Sequence, residues 1–328
     1  MPLKIAISMG DPNGIGPEII LKTIKQRGSE EMLSVIFGHF DLIKHTASLL
    51  NESPEVQQIN HPDEAKTGMA NVINCIDAKL TSFSPGSISA NGGAASMQAV
   101  SAGIESCLKN ETDALVTAPI SKESITLAGY NVPGHTEFLA EKTGAGQVLM
   151  MLVSGAFRVA LATIHIPVRL IPQDLTHDLI LTRLKLLHSA LKNDFGISQP
   201  KIAVLGLNPH AGDGGVIGDE EMTLIGPVLN KLQTKDVDVK GPFAADAFFG
   251  NSRQNNFDAV FAMYHDQGLI PFKALTFGSG VNVTAGLPIV RTSPDHGTAF
   301  DIAGKNLADC SSFSAAFSLA AKMAENKQ

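Results

Sequence analysis

Short apolar runs alternate along this chain with amphipathic stretches. The runs KIAIS, at Lys4–Ser8, and ALVT, at Ala114–Thr117, lack the polar alternation of a half-exposed strand and therefore predict strands buried on both faces of a sheet. Helical spacing of apolar residues appears at Pro17–Gln26, Leu42–Leu50 and Ser312–Glu325, which predicts helices that pack on such a sheet. The pattern is that of an α/β protein.

The rest of the chain contains further predicted strands and helices and two segments without a clear pattern. Ser34–Phe40 reads as a second strand, and helices are expected at Ala94–Leu108, Leu175–Phe195 and Glu220–Gln233. Residues 51–92 look irregular and polar, and the segment from Val281 to the last helix looks rich in loops.

Three histidines each follow a buried-strand pattern. His165, His210 and His265 come after the apolar runs Val159–Ile164, Ile202–Leu207 and Ala259–Met263. The carboxyl ends of parallel strands share one edge of a sheet, so three imidazoles there could converge on one divalent cation. The spacing matches no local zinc motif, so a closed structural zinc site is not expected. From these residues alone, metal ligation and ordinary hydrogen-bonded histidines at strand ends both stay open.

Length, charge and cysteine content narrow the class of protein. A chain of 328 residues exceeds one ordinary core and predicts two α/β lobes or one large domain. The net charge of −7 and the absence of any Lys/Arg run argue against general nucleic-acid binding. Three scattered cysteines fit a reducing compartment, and no stretch predicts export or a membrane span. We therefore expect a cytoplasmic protein without nucleic-acid or membrane partners.

Two glycine-rich turns are candidates for binding an anion. GDPNGIGPE, at Gly10–Glu18, is a strand-to-helix turn whose N–H groups could meet a phosphate, although tight packing of the turn explains the glycines at least as well. GHTEF, at Gly134–Phe138, places His135 and Thr136 where a helix opens. That arrangement suits a phosphate, or Thr136 as a simple helix cap.

A long segment near the carboxyl terminus, Phe272–Lys305, carries polar side chains between apolar stretches and glycines. Lys273, Asn282 and Arg291 are prominent among them. Two cations and an amide would suit a substrate that carries phosphate and carboxylate groups. Taken singly, each of the three also reads as a solvated surface residue.

The long motifs carry a resemblance to a known family. VTAPISKE, GLNPHAGDGG, MYHDQGLIPFK, GVNVTAGLP and RTSPDHGTAFDIAGK, with the two glycine-rich turns, resemble the 4-hydroxythreonine-4-phosphate dehydrogenase family of pyridoxal phosphate (vitamin B6) biosynthesis, over nearly the whole chain. The resemblance implies an NAD- or NADP-dependent enzyme with one divalent metal per site, which would be zinc, cobalt or magnesium. It also implies a homodimer with active sites at the subunit interface. The implied metal ligands are His165, His210 and His265, and the implied substrate-binding positions are His135, Thr136, Lys273, Asn282 and Arg291.

The implied reaction is oxidation of 4-phosphooxy-L-threonine at C3 to a β-keto acid, which loses CO2 to give 3-amino-2-oxopropyl phosphate. For the proton acceptor we consider Asp266, beside a predicted ligand, and Asp246, with Lys122 as a relay. Asp266 can equally serve to orient the neighbouring imidazole.

A wider resemblance concerns the cofactor. DHGTAFDIAGK, at Asp295–Lys305, is similar to the adenine-side loop of isopropylmalate and isocitrate dehydrogenases, which bind NAD without a Rossmann fingerprint. This implies two α/β/α lobes sharing a cleft, one of residues 1–125 plus 288–328 with the cofactor loop, the other of residues 126–287 with the metal site and dimer interface. The implied cofactor residues are His296, Gly297, Thr298, Ala299 and Asp301.

Three alternatives remain open at this point. A related dehydrogenase would act on another 4-phosphorylated hydroxy acid, such as D-threonate or D-erythronate 4-phosphate. A zinc hydrolase would use the three histidines to activate water, and a non-catalytic protein would sense phosphorylated metabolites through the same loops.

Overall fold

The chain forms two compact units. The computed structural model describes residues 2–28, 32–77, 80, 83–132, 134–233, 237–276 and 278–328. The first unit comprises Met1–Gly146 and Leu287–Asn326, and the second comprises Gln147–Gly286. The sequence placed the first boundary at residue 125, whereas it lies at Gly146, because the helix at His135–Thr143 packs on the helix at Ala90–Leu108 of the first unit.

The first unit is built on a parallel sheet. Its strands lie in the order β3-β4-β2-β1-β5-β12, and every described neighbouring pair is parallel. The strands are β1 (Lys4–Ser8), β2 (Leu33–Gly38), β3 (Val56–Gln58), β4 (Ala70–Asn74), β5 (Ala114–Thr117) and β12 (Arg291–Pro294). The helices are α1 (Gly16–Arg27), α2 (Phe40–Leu49), α3 (Ala90–Leu108), α4 (Lys122–Leu127), α5 (His135–Thr143) and α11 (Ser311–Glu325). Both strand runs that lacked alternation are buried, as that pattern predicts.

The second unit has a mixed sheet. Its strands lie in the order β11-β6-β7-β10-β8-β9, with antiparallel pairs among the first three and parallel pairs among the last four. The strands are β6 (Leu149–Ser154), β7 (Phe157–Leu161), β8 (Lys201–Leu205), β9 (Asp238–Phe243), β10 (Ala259–Ala262) and β11 (Val281–Ala285). The helices are α6 (Ile171–Asp174), α7 (His177–Asn193), α8 (Gly226–Gln233), α9 (Ala245–Gly250) and α10 (His265–Thr276), with a π-helical turn at Glu221–Ile225 before α8.

The predicted fold class is confirmed. The predictions that two segments are irregular or rich in loops are wrong. Residues 51–92 contain β3 and β4, and the carboxyl-terminal third contains β11 and β12. β4 contains a polar residue, Asn71, which interrupts the apolar pattern that would predict a buried strand. Asn71 is fully buried, and its amide donates hydrogen bonds to the carbonyls of Ser34, Lys66 and Met69. Such a satisfied polar group is compatible with a buried strand.

Within the residues that the structure describes, every helix is too short or too polar to span a bilayer.

Candidate active site

Three neighbouring parallel strands of the second unit lead to the three predicted metal ligands. β7, β10 and β8 lie side by side in that order, and they are followed by His165, His265 and His210 respectively. The sequence placed each histidine at the carboxyl end of a strand, and this placement is confirmed. The sheet order adds that His265 follows the middle strand, between the other two.

Two of these histidines lie close enough to share an ion. The ring centres of His165 and His265 are 5.8 Å apart. With a metal–nitrogen distance of about 2 Å, two imidazoles on one zinc ion have ring centres roughly 5 to 6 Å apart. Asp266 Oδ1 lies 2.7 Å from Nδ1 of His265, so the carboxylate can fix the tautomer and leave Nε2 for a metal. This pair therefore fits a divalent cation.

His210 lies on an unusual loop and does not complete the set. From His210 to Gly214 all five residues have positive φ angles, including His210 and Ala211 at 54° and 53°. Among the described residues, no group of three His, Cys, Asp or Glu side chains is arranged to hold a metal. The three-histidine site therefore stays a prediction, with two of its members in place.

The two predicted catalytic carboxylates, Asp246 and Asp266, line the same cavity as His210. This cavity of about 610 Å³ is lined by Asp246, at the first turn of α9, and by Asp266, at the first turn of α10. Apolar residues that include Phe249 and Ile270 form much of the remaining wall. Two predicted proton acceptors and a predicted metal ligand thus line one open cleft, an arrangement suited to chemistry on a bound substrate.

Lys122, the predicted relay, lies in the first unit. It is the first residue of α4, whose amino terminus is capped by Ser121. A Cβ added at Gly134 would lie 3.8 Å from Cε of Lys122, so the lysine stem lies beside the GHTEF turn.

The GHTEF turn and the start of β12 bring two predicted substrate residues, His135 and Arg291, together. α5 begins at His135 after Gly134, which provides no side-chain cap, so the reading of Thr136 as the helix cap is wrong. Burial, and secondly the positive charge of Arg291, hold the pKa of His135 well below its ordinary value. The imidazole is therefore neutral at physiological pH. Its Nε2 is buried and makes no hydrogen bond to the residues that the structure describes.

Arg291 is one of the largest fully buried side chains of the described chain. Its side chain is 2 % exposed, and its Nε and Nη2 atoms donate to Thr117 Oγ1 at 3.2 and 2.6 Å. Burial lowers its pKa to about 9, so the guanidinium stays charged at neutral pH. A buried cation beside a neutral imidazole suits an anionic ligand.

The other two predicted substrate residues lie in the second unit. Asn282 lies on β11, where its side-chain Oδ1 is buried and finds no hydrogen-bond donor within the described chain. Lys273 lies in the last turn of α10, with an exposed side chain. The structure thus offers one buried acceptor and one exposed cation at these positions.

The predicted cofactor loop rests on the GDPNGIGPE turn. The N–H of Ile15 donates to the carbonyl of Thr298 at 3.0 Å. A Cβ at Gly14 would lie 2.8 Å from that carbonyl oxygen and 3.0 Å from Thr298 Cβ. Tight packing, one of the two interpretations of this turn, is therefore observed, and the turn packs against Thr298 of the predicted cofactor loop.

Within that loop the predicted residues have distinct settings. Ala299 has a positive φ of 41°, Asp301 is exposed, and Nδ1 of His296 lies 3.1 Å from the carbonyl oxygen of Gly297. The Nε2 of His296 is buried, and none of the described residues hydrogen-bonds it. His296 thus resembles His135, with a ring nitrogen available to a ligand.

Sequence reasoning missed the side chains that brace the histidine loops. Glu221 accepts hydrogen bonds from the N–H groups of Leu207 and Asn208, and Gln267 connects the ends of β8 and β10. The only local signal was a pair of adjacent glutamates, which usually marks solvated surface.

Together these features define an α/β protein with a cavity lined by a histidine and two carboxylates in one unit, and with a buried arginine and a buried histidine in the other. Residues 30–320 match the model of the family described as "Pyridoxal phosphate biosynthetic protein PdxA". The chain is a member of that family.

Known relatives and structures agree over the full length. A 4-hydroxythreonine-4-phosphate dehydrogenase of Bacteroides thetaiotaomicron is 44% identical over 99% of this chain and 90% of its own. A crystal structure of 4-hydroxythreonine-4-phosphate dehydrogenase from Klebsiella pneumoniae superposes with a TM-score of 0.89 and 37% identity, covering 99% of this chain and 98% of the other. A terephthalate 1,2-cis-dihydrodiol dehydrogenase from Burkholderia xenovorans is more distant, with a TM-score of 0.69 and 30% identity over 98% of both chains.

Proposed function

We propose that this chain is a 4-hydroxythreonine-4-phosphate dehydrogenase that oxidises 4-phosphooxy-L-threonine at C3 with NAD or NADP and a divalent metal. The observation that carries the proposal is the placement of His165, His265 and His210 after three neighbouring parallel strands. This arrangement occurs in a chain whose full-length relatives bear that name.

The proposed metal site consists of His165, His210 and His265. A divalent ion bound there would supply Lewis-acid activation of the substrate's hydroxyl group. Asp266 holds the His265 ring through Nδ1. Asp266 or Asp246, which line the same cavity, would accept the hydroxyl proton, and Lys122 would relay it.

The phosphate and carboxylate of the substrate require cations and donors. Arg291 offers a charged guanidinium inside the first unit, and His135 beside it offers a neutral imidazole with an uncommitted Nε2. Thr136 adds a hydroxyl one residue further along α5. Lys273 and Asn282 would add a second cation and an amide. Groups of this kind recognise phosphate and carboxylate oxygens through charge-assisted hydrogen bonds.

The nicotinamide cofactor would bind at the Asp295–Lys305 loop. The buried Nε2 of His296 and the exposed backbone at Gly297 are available to it, with Thr298, Ala299 and Asp301 alongside. Hydride transfer belongs to the cofactor, and the loop would supply its position. The resulting β-keto acid would lose CO2 to give 3-amino-2-oxopropyl phosphate.

The proposal includes a cytoplasmic homodimer with its active sites at the interface. Large exposed apolar side chains of the second unit support a covered surface. Ile270, which lines the cavity with His210, is 67% exposed. Val216 and Met222, which follow the His210 loop in the sequence, are 83% and 54% exposed. Side chains of this size and exposure are frequent in interfaces. Sedimentation of the purified protein would give the mass directly.

A second candidate is a dehydrogenase for another substrate. It is favoured by the full-length likeness to the terephthalate dihydrodiol dehydrogenase, which indicates that this fold accommodates different secondary alcohols. Candidate substrates here are D-threonate and D-erythronate 4-phosphate, which carry a hydroxyl group where 4-phosphooxy-L-threonine carries an amine.

Absorbance at 340 nm tests the proposal. Purified protein is mixed with 4-phosphooxy-L-threonine and NAD+ or NADP+, before and after chelation and with Zn²⁺, Co²⁺ or Mg²⁺ restored. We expect reduced cofactor to form only with metal, and His210→Ala to lose most metal and nearly all turnover. Turnover of D-threonate 4-phosphate alone would support the second candidate. No reduction with either substrate would favour a hydrolase or a metabolite sensor.

A further inference from the structure

Two polar side chains that the sequence did not predict, the buried Glu221 and the half-buried Gln267, brace the loops that carry His210 and His265. We propose that Glu221 and Gln267 are positioning residues for the metal site, an inference that rests on the proposed metal dependence of this enzyme. Neither residue is among the predicted metal, substrate or cofactor positions.

Glu221 fixes the start of the His210 loop. Its carboxylate is buried, with the residue 5% exposed, and Oε1 accepts the N–H groups of Leu207 and Asn208, both at 2.8 Å. Oε2 accepts the side-chain amide of Asn208 at 3.0 Å. These two N–H groups lie just beyond the end of β8, where the sheet no longer supplies an acceptor, and an unsatisfied buried N–H costs about 1 to 3 kcal/mol. Glu221 therefore replaces the sheet as the partner of this segment.

The space around the carboxylate is closed. A Cβ at Gly206 would lie 2.9 Å from Oε1 of Glu221, and a Cβ at Gly212 would lie 2.7 Å from Oε2. Glycine at both positions lets the loop wrap tightly around the carboxylate. Glu221 is also the first residue of the π-helical turn, and π-turns are rare and frequently found at functional sites.

Gln267 holds the end of β8 against the end of β10. Its Nε2 donates to the carbonyl of Gly206 at 2.6 Å, and its Oε1 accepts the N–H of Met263 at 2.7 Å. Gly206 follows β8, and Met263 lies two residues before His265. One amide thus joins the backbones from which His210 and His265 depart.

This bracing matters because the His210 loop is strained. His210, Ala211 and Asp213 adopt positive φ angles without being glycine, at a cost of roughly 1 to 2 kcal/mol each. A strained segment persists only where its surroundings over-determine it. The three hydrogen bonds of Glu221 meet that requirement at the amino-terminal side of the strained turn.

The test measures metal binding without turnover. Calorimetric titration with Co²⁺ or Zn²⁺ alone is carried out on the chelator-treated wild-type protein and on Glu221→Gln, which keeps the shape but loses the charge and one acceptor. Removing a group that hydrogen-bonds a metal ligand directly weakens metal binding roughly 10- to 100-fold. Glu221 acts on the backbone before His210 and not on its imidazole, so we expect a loss of about tenfold, at the lower end of that range. Glu220→Gln is the matched control, because among the described residues Glu220 accepts a hydrogen bond only from the side-chain amide of Asn208 and from neither backbone N–H group. Its effect on metal affinity is expected to be much smaller than that of Glu221→Gln.

Backbone amide exchange supplies the second readout. We expect the N–H groups of Leu207 and Asn208 to exchange faster in Glu221→Gln than in wild type, with or without metal. Wild-type affinity in Glu221→Gln would overturn the positioning role and leave the metal site intact. A wild-type protein that binds neither ion would overturn the metal site and this inference with it.

Gln267→Leu keeps the inference testable if Glu221→Gln does not fold. This variant removes both hydrogen bonds between the loop ends and is expected to weaken Co²⁺ binding at least tenfold. Unchanged Co²⁺ affinity in a folded Gln267→Leu protein would refute the bracing.

Discussion

The contact between Gly14 and the predicted cofactor loop at Asp295–Lys305 makes Gly14→Ala the most informative single substitution in the first unit. The new Cβ would lie 2.8 Å from the carbonyl oxygen and 3.0 Å from the Cβ of Thr298. The oxygen belongs to the backbone, so a rotamer change of Thr298 would not relieve the contact. The loop at Asp295–Lys305 must shift by a few tenths of an ångström or more, and the hydrogen bond from Ile15 to Thr298 must lengthen.

The size of the effect follows from the cost of overpacking, which is about 1 to 3 kcal/mol. If cofactor binding needs the loop in its present position, that cost appears as an increase of roughly 5- to 150-fold in the KM for NAD or NADP. The KM for the phosphorylated substrate and the kcat at saturating cofactor are expected to change much less. This split separates a loop effect from a general loss of folded enzyme.

The assay is steady-state reduction at 340 nm with each substrate varied in turn. Gly146→Ala is the matched control, because a Cβ there meets nothing within 4 Å and the backbone φ is not positive. Equal cofactor KM values for Gly14→Ala and wild type would refute the idea that Gly14 sets the position of the loop. Equal loss of kcat in both variants would point to a nonspecific effect of the added methyl group.

Three further predictions follow from the described geometry. Ala211→Gly should stabilise the protein by about 1 kcal/mol in urea unfolding, because glycine adopts the left-handed φ of 53° without strain; a lower midpoint would contradict this. His135→Gln should reduce the dependence of the free energy of unfolding on pH in the acid range. Burial lowers the pKa of His135, so the stability that the neutral imidazole contributes above about pH 6.5 is lost as the pH falls below that value, with a slope of up to about 1.4 kcal/mol per pH unit. An unchanged pH profile of unfolding in the variant would count against the assignment. Arg291→Lys keeps the charge but loses the paired donors to Thr117, so the KM for the phosphorylated substrate should rise at least tenfold; an unchanged KM in a folded variant would remove Arg291 from the substrate site.

The histidines could be located from the sequence because their signal is local. An apolar run without alternation predicts a buried strand, and a histidine that directly follows the run must lie at the carboxyl end of that strand. That reasoning placed His165, His210 and His265 correctly at one edge of the second unit. It could not show that β7, β10 and β8 are neighbours, because their order depends on pairings such as Val159 with Val260 and Ile202 with Ala259, which are distant in the sequence.

The bracing residues could not be predicted for a related reason. Glu221 and Glu220 are identical in type, and the sequence does not show which one is buried. Glu221 accepts hydrogen bonds from the backbone N–H groups of Leu207 and Asn208. Every residue except proline has such a group, so the sequence gives no sign of this contact. The positive φ angles of His210 and Ala211 also run against local preference, and such conflicts are expected where function rather than stability selects the backbone.

Buried polar atoms provide an argument for ligand binding that does not depend on family membership. Within the part of the chain that the structure describes, Nε2 of His135, Oδ1 of Asn282 and Nε2 of His296 are buried without a hydrogen-bond partner. A hydroxyl can rotate to find a partner, whereas an imidazole or amide is fixed by its ring or plane. Each such atom costs about 1 to 3 kcal/mol when unsatisfied, so the folded chain without ligands carries a cost that a bound molecule can remove. Two of these three atoms belong to predicted substrate residues and one to the predicted cofactor loop, so a bound substrate or cofactor could satisfy them. Other buried atoms of fixed geometry that have no partner in the described chain, such as Oε1 of Gln254 and Nη1 of Arg183, lie at none of the predicted positions. The argument for a ligand therefore depends on where His135, Asn282 and His296 lie as well as on their missing partners.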